Sequence, residues 1–463
     1  MEKRVAIIGA GISGLLACKY AVKIGYNPVV FEADDGIGGV WKHTIQSTKL
    51  QNPKQAYQFS DFPWDSSVKQ DCPNIDYGMV MELLLAPREH GILLCKILTL
   101  YQLSGLPNIP EFPLGKGPEI FKGKVMHSMD YSSLDNKIAS ELIKNKSVTV
   151  VGSGKSALDI ASECADANGV THPCTIIHRN AHWFLLDFNI WIIGLGYFYF
   201  NRFAELLVHK PGENSILFLL AILLSPLRWG ISKLVETYLK WKMPLKEYGL
   251  VPNHSFLQEI SACQIGVLPE FFFDKVKEGS IVIKKSQNFS FCKEGLIVNE
   301  EPKPLETDLV ILATGYKGDQ KLRSIFKSST FQNYISSSEK SSVPLYRQII
   351  HPRIPQLAMI GYSEGISNIV SNEMRCQWLA YFLDGNIELP SIKEMEKDVK
   401  VWEENMKQYA GKFYWRSCII SCGIWYNDQL CKDMKCNHLR KKSTFAELFE
   451  PYGPEDYNGL VRK

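Results

Sequence analysis

The sequence predicts an α/β fold in which helices cover parallel, doubly wound sheets. Two observations carry this. A four- or five-residue apolar run enters a glycine turn and then a helix-period stretch, first at Arg4–Gly14 and again at Ser147–Ala157. A third run, Asp308–Tyr316, reads as a strand entering another tight turn. Strand, glycine turn and helix in that order are the βαβ signature, so the chain is expected to hold two Rossmann-like dinucleotide-binding units.

The first unit carries Gly9-Ala10-Gly11-Ile12-Ser13-Gly14, a G-x-G-x-x-G turn. Gly9 permits the tight turn, Gly11 lets backbone approach a pyrophosphate, and Gly14 lets helix and strand pack closely. The pyrophosphate is expected on the helix N-terminus, where free N–H groups and the dipole favour anions. A second strand, Pro28–Phe31, ends at Glu32, 23 residues after Gly9. An acidic residue there can accept from a ribose hydroxyl. Gly38, Gly39, Val40 and Trp41 follow, placing backbone and an indole beside the same ligand.

The second unit carries Gly152-Ser153-Gly154-Lys155-Ser156-Ala157, a G-x-G-x-x-A variant. A P-loop reading fails, because Thr149 stands where that motif needs glycine. The next strand, Cys174–Ile177, ends in His178 and Arg179 with no carboxylate. Arg179 suits a 2′-phosphate, which favours NADP(H) over NAD(H). A solvated surface charge is the other reading of Arg179, and Lys155 and His178 are candidates to join it. Two dinucleotide units in one chain point to a flavin that stores electrons and a nicotinamide that delivers hydride.

Composition bounds the rest. The 463 residues suffice for two to three domains. With 45% hydrophobic and 22% charged residues, the chain is ordinary globular protein. A net charge of +3 gives no electrostatic case for nucleic acid. Twelve Cys are too few for a disulfide scaffold, and no signal peptide is read at Met1–Arg4, so the thiols are expected to be reduced. The apolar runs 190–200 and 216–224 are too short to span a membrane. They are read as buried core or a substrate channel, with membrane-surface association as the alternative. Residues 391–408 have helical periodicity, and 449–457 read as irregular.

The motifs together resemble the flavin-containing monooxygenases. Between the two units, Phe121-Lys-Gly123-Lys-Val-Met-His127-Ser-Met-Asp-Tyr131 matches that family's pattern F-x-G-x-x-x-H-x-x-x-[FY]. Ala313–Tyr316, Leu345–Pro355 and Ile360–Tyr362 extend the likeness. Tyr426–Cys431 and Ala446–Tyr457 are similar to the plant branch that N-hydroxylates amines and amino acids. The resemblance implies FAD on the first unit and NADPH on the second, with the NADPH unit inserted into the FAD unit. The implied bounds are 1–145 and 317–463 for the FAD domain and 146–316 for the NADPH domain. It implies that O₂ adds to the reduced flavin at C4a and that the hydroperoxide oxygenates a nucleophilic nitrogen or sulfur of a small molecule. The implied location is the cytoplasm, with the cytosolic face of the endoplasmic reticulum as the alternative. Gln51 and Asn52 align with a cofactor-contacting stretch, so Asn52 is the implied catalytic side chain; its amide donates and accepts without carrying charge into the site. An ordinary turn before Pro53 is the other reading.

The chain departs from the family at residues 64–105, where strands of the FAD domain are expected. Thr99-Leu-Tyr101 stands in place of a Cys-x-Gly turn, and residues 75–100 lack clear alternation. Lost strands would uncover apolar faces. Two rival functions follow: an NADPH oxidase or reductase with the same cofactors, and a non-catalytic relic that binds FAD poorly. No metal is expected, because no Cys pair or H-E-x-x-H forms a zinc pattern. His127 reads as structural, and Arg440–Lys442 as a solvated patch.

Overall fold

The computed structural model describes residues 4–42, 44–45, 48, 50, 53–64, 96–99, 106–317, 322–335, 342–354 and 356–460. Two parallel sheets form its framework. In chain order the strands are β1 (Arg4–Ile8), β2 (Asn27–Phe31), β3 (Lys96–Thr99), β4 (Lys124–His127), β5 (Val148–Val151), β6 (Cys174–His178), β7 (Ile281–Lys285), β8 (Leu309–Leu312) and β9 (Leu357–Ile360). The first sheet runs β9-β3-β1-β2, with Ile7 opposite both Val30 and Ile97. The second runs β7-β6-β5-β8-β4. This is the expected α/β class, with both glycine turns at carboxyl ends of parallel strands. β4, from within residues 1–145, lies in the second sheet beside β8.

The divergent segment 64–105 still delivers a strand. β3 sits between β1 and β9. An inner parallel strand is covered on both faces and shows no polar alternation to read. Tyr101 lies outside the described residues.

The helices are α1 (Ile12–Lys23), α2 (Lys155–Asn168), α3 (Ser215–Leu223), α4 (Ser225–Lys242), α5 (Phe256–Ser261), α6 (Asn368–Leu383), α7 (Ile392–Ala410) and α8 (Gly423–Asp433). α2 lays Ala157, Ile160, Ala161 and Cys164 on one face of the second sheet, against Val148, Val150, Ile176 and Ile311. Phe291, Leu296 and Val298, from antiparallel strands, cover the other face. α6 returns the C-terminal third onto α1: Tyr20 Oη donates to Glu373 Oε1 at 2.8 Å, and Asn372 Nδ2 to Ser13 Oγ at 2.9 Å. α7 starts where the periodicity placed it, with a Ser391/Glu394 capping box.

Three expectations are corrected. The run 216–224 is not core: on α3, Ile216, Phe218, Leu219, Ile222 and Leu223 are exposed and Ala221 is buried. A helix that is apolar all round has no polar face to turn outward; Ala221, half-buried Leu217 and Leu220, and Phe218 against His209 make its contacts with the protein. In the run 190–200, Ile190 and Leu195 are buried, whereas Trp191, Ile192 and Tyr197 are exposed. The patch Arg440–Lys442 is not merely solvated. Arg440 donates to the Asp456 and Asn458 carbonyls, each at 2.7 Å, and Lys441 pairs with Asp456 at 2.9 Å, fastening the tail. The thiols are not all free: Cys263 and Cys418 form a disulfide with Cα atoms 5.6 Å apart. Sequence spacing could not pair them, because 155 residues separate them.

Among the described residues no single helix is long and apolar enough to cross a membrane. α3 and α4 meet that combination of length and apolarity only as a pair, across a 49° bend.

Candidate functional site

The first turn is built by backbone. Gly9 has φ +102°, a conformation that glycine adopts without strain, and its N–H donates to the Phe31 carbonyl at 2.7 Å. Gly11 caps α1 in an extended conformation without a side-chain bond to the helix. The first turn of α1 holds no acidic residue, so its positive dipole end is not offset there. Gly38 donates to the Ala10 carbonyl at 2.9 Å, which brings Gly39 alongside; its Cα lies 3.8 Å from where a Cβ on Gly11 would stand. The protein would therefore accommodate that Cβ. Glu32 folds back onto the turn, accepting from Ala10 N at 2.5 Å, Ala33 N at 2.7 Å and Asp34 N at 3.0 Å. Its carboxylate is exposed, fixed by three amides, and able to accept from a further donor. In Gly39–Lys42, Trp41 is buried and meets Tyr57 edge-on at 5.7 Å. Val40, between Gly39 and Trp41, is half-buried. The turn thus combines a glycine backbone with room at Gly11 and a carboxylate at the following strand tip, the arrangement of a dinucleotide-binding turn.

The second turn repeats the geometry. Gly152 has φ +149°, and a Cβ there would lie 2.3 Å from the Ala313 carbonyl oxygen. Gly154 caps α2 with φ −83° and open space around its Cβ position. Ser153 lines a small apolar cavity with His178, while Ala157 is fully buried under the sheet. Ser156 stands in the first turn of α2, which has no acidic residue. Arg179, just past β6, is exposed and lines a cleft of about 310 Å³ with Lys285, Gln287, Lys412, His182 and His254. Lys285 and Lys412 escaped sequence reasoning because they lie far along the chain and carry no motif.

The two companions proposed for Arg179 do not join it. Lys155 pairs with Asp159 one turn along α2, and both are largely buried. His178 is buried, and burial lowers its pKa, so it stands as a neutral ring. His127 is structural: its Nδ1 accepts from Met129 N at 3.1 Å, capping a short helix, and its Nε2 meets the Gly315 carbonyl at 3.1 Å. Burial also lowers its pKa, against that bond. Trp183 fills core, and its indole N–H donates to the His254 carbonyl at 2.8 Å. Gln51 and Asn52 lie outside the described residues.

A family model described as flavin-binding monooxygenase-like matches residues 2–73 and 99–437. Two Arabidopsis thaliana proteins are similar over nearly the whole chain. A probable flavin-containing monooxygenase 1 is 37% identical, covering 98% of this chain and 96% of its own. A putative flavin-containing monooxygenase 2 is 35% identical, covering 94% and 97%. Among solved structures, an open form of cyclohexanone monooxygenase superposes with a TM-score of 0.63 at 13% identity, over 93% of this chain and 97% of that one.

Proposed function

The chain belongs to the flavin-binding monooxygenase-like family, a flavin-dependent monooxygenase with FAD and NADPH as cofactors, and from that premise we propose that it oxygenates a nucleophilic nitrogen, or a sulfur, of a small molecule. The observation that carries the assignment of cofactors to sites is the pair of matched turns, alike in backbone and opposite in the charge at the following strand tip. FAD belongs on Gly9–Gly14: the N-terminus of α1 faces the pyrophosphate, Glu32 holds the ribose, and Gly39, Val40 and Trp41 close over it. NADPH belongs on Gly152–Ala157, with Arg179 on the 2′-phosphate and Lys285 and Lys412 adding positive charge to the same cleft. The chemistry supplied by the bound pair is hydride transfer from NADPH to flavin, then delivery of one atom of O₂ to substrate while the other leaves as water. The chain's own part is to align the cofactors, exclude water and hold the oxygen-transferring centre with an uncharged amide, the role we give Asn52. Domain bounds of 1–145, 146–316 and 317–463 accompany this reading.

The location we propose is the cytoplasm, with the exposed face of α3 and α4 resting on an anionic membrane surface such as that of the endoplasmic reticulum. Trp229 and Trp241 are exposed on α4, and Lys233, Lys240 and Lys242 lie on the same helix. Sedimentation with phosphatidylserine vesicles tests this; Trp229→Glu should weaken it.

The test of function is NADPH turnover under ¹⁸O₂ with one amine panel and one thioether panel. Incorporation of a single ¹⁸O into nitrogen products supports the reading. H₂O₂ with no product in either panel supports the oxidase. A relic that binds FAD poorly, the rival raised by the segment 64–105, predicts colourless protein.

A further inference from the structure

We propose that His182, His254 and Glu259 form a binding site for one divalent transition-metal ion of the zinc class, at the rim of the cleft that Arg179 lines. Sequence spacing hides the site. His182 follows β6, His254 precedes the N-cap Ser255 of α5, and Glu259 lies within α5. Folding brings one ligand atom from each within 4.8 Å of the others.

Glu259 is fully buried. Its Oε1 meets His182 Nδ1 at 2.9 Å, and its Oε2 meets His254 Nε2 and accepts from Trp183 N at 3.1 Å. A carboxylate in the interior needs a cationic or hydrogen-bonded partner.

Two imidazole nitrogens with one carboxylate oxygen is a zinc-type donor set, whereas calcium and magnesium take oxygen ligands. Tetrahedral bonds of about 2.0–2.1 Å put ligand atoms roughly 3.3 Å apart, so both imidazole–carboxylate contacts must open to admit an ion, the closer His254 Nε2–Glu259 Oε2 contact more than the 2.9 Å one to His182. The outer shell is present as well. The Trp183 amide steadies the carboxylate, and its indole holds the backbone of His254. The histidine side chains are 17% and 19% exposed and line the cleft, which gives an ion an entry path and leaves a fourth position open. Three protein ligands with one open position is the arrangement of exchangeable rather than sealed zinc.

The competing account is a hydrogen-bonded brace in which the histidines only neutralise Glu259. The two accounts separate by titration. Untagged holoenzyme is stripped with a chelator, equilibrated with micromolar zinc, passed through a desalting column and assayed for metal by atomic emission. We expect about one zinc per chain in the wild type and at least about tenfold weaker binding in His254→Gln and His182→Gln. Glutamine keeps a donor toward Glu259, so both variants retain the brace. Zinc should raise the wild-type melting temperature and leave the variants unmoved, and this second readout stands if either variant is poorly soluble. Wild-type uptake below about a tenth of an equivalent, or equal uptake in both variants, overturns the proposal.

Discussion

The two glycine turns make a natural comparison within the molecule. Both follow an inner parallel strand, open with a glycine at positive φ, and end in an extended glycine that caps a helix without side-chain help. They differ at the tip of the next strand. In the first, Glu32 is pinned to Ala10 by its carboxylate. In the second, Arg179 stands free of the turn and faces a cleft shared with Lys285 and Lys412. On the proposed assignment, the turn would set where a pyrophosphate sits, and the strand tip what the adjoining ribose carries. A contrast within the turns concerns folding. Gly152 is wedged against the Ala313 carbonyl, whereas Gly11 and Gly154 have room for a methyl.

That contrast gives the largest expected effect. Gly152→Ala combines a backbone clash with a φ unsuited to alanine, costing roughly 1–3 kcal/mol for the strain alone and more for the clash. It should lower the melting temperature or abolish soluble expression; a variant melting with the wild type would break the comparison.

Next comes Asn52→Leu. Loss of one preorganised hydrogen bond costs about 2.7–4 kcal/mol, or a hundred- to a thousandfold. Stopped-flow flavin reduction by NADPH should stay near normal, while H₂O₂ rises as oxygenated product falls. Wild-type coupling in this variant would leave Asn52 as a turn residue before Pro53.

Arg179→Ala should act more mildly. One charge-assisted phosphate contact is worth about 1.5–3 kcal/mol, roughly ten- to a hundredfold. The ratio of flavin-reduction rates with NADPH and NADH should fall by that factor. Lys285→Ala should lower it less, because a lysine is a point charge on a flexible stem where arginine offers a fixed fork.

Much of this framework was legible from local chemistry. Gly9, Gly11, Glu32, Gly152 and Gly154 announce themselves because their backbone roles are tied to residue type and short spacing. The α7 start was readable from Ser391 and the charge periodicity for the same reason. What escaped depends on long-range assembly. Lys412 reaches the Arg179 cleft from the C-terminal third, and His254 joins His182 across 72 residues of sequence. β3 was obscured because an inner strand shows no alternation. The exposure of α3 was misread because hydropathy reports what a helix prefers, not whether the protein covers it. The Cys263–Cys418 bond was beyond reach because no motif joins its ends.

The most direct test of the account exploits the room at Gly11 and Gly154. Gly11→Ala and Gly154→Ala are purified side by side, and flavin content, NADP⁺ affinity by calorimetry and far-ultraviolet circular dichroism are measured on each. Both should keep the wild-type dichroism spectrum, since neither added methyl meets protein closer than 3.8 Å. Gly11→Ala should lose its bound FAD yet retain NADP⁺ binding, and Gly154→Ala should keep its yellow colour and lose NADP⁺ affinity. If Gly11→Ala retains a full complement of FAD, or if the two variants lose the same cofactor, the assignment of one dinucleotide to each turn is wrong.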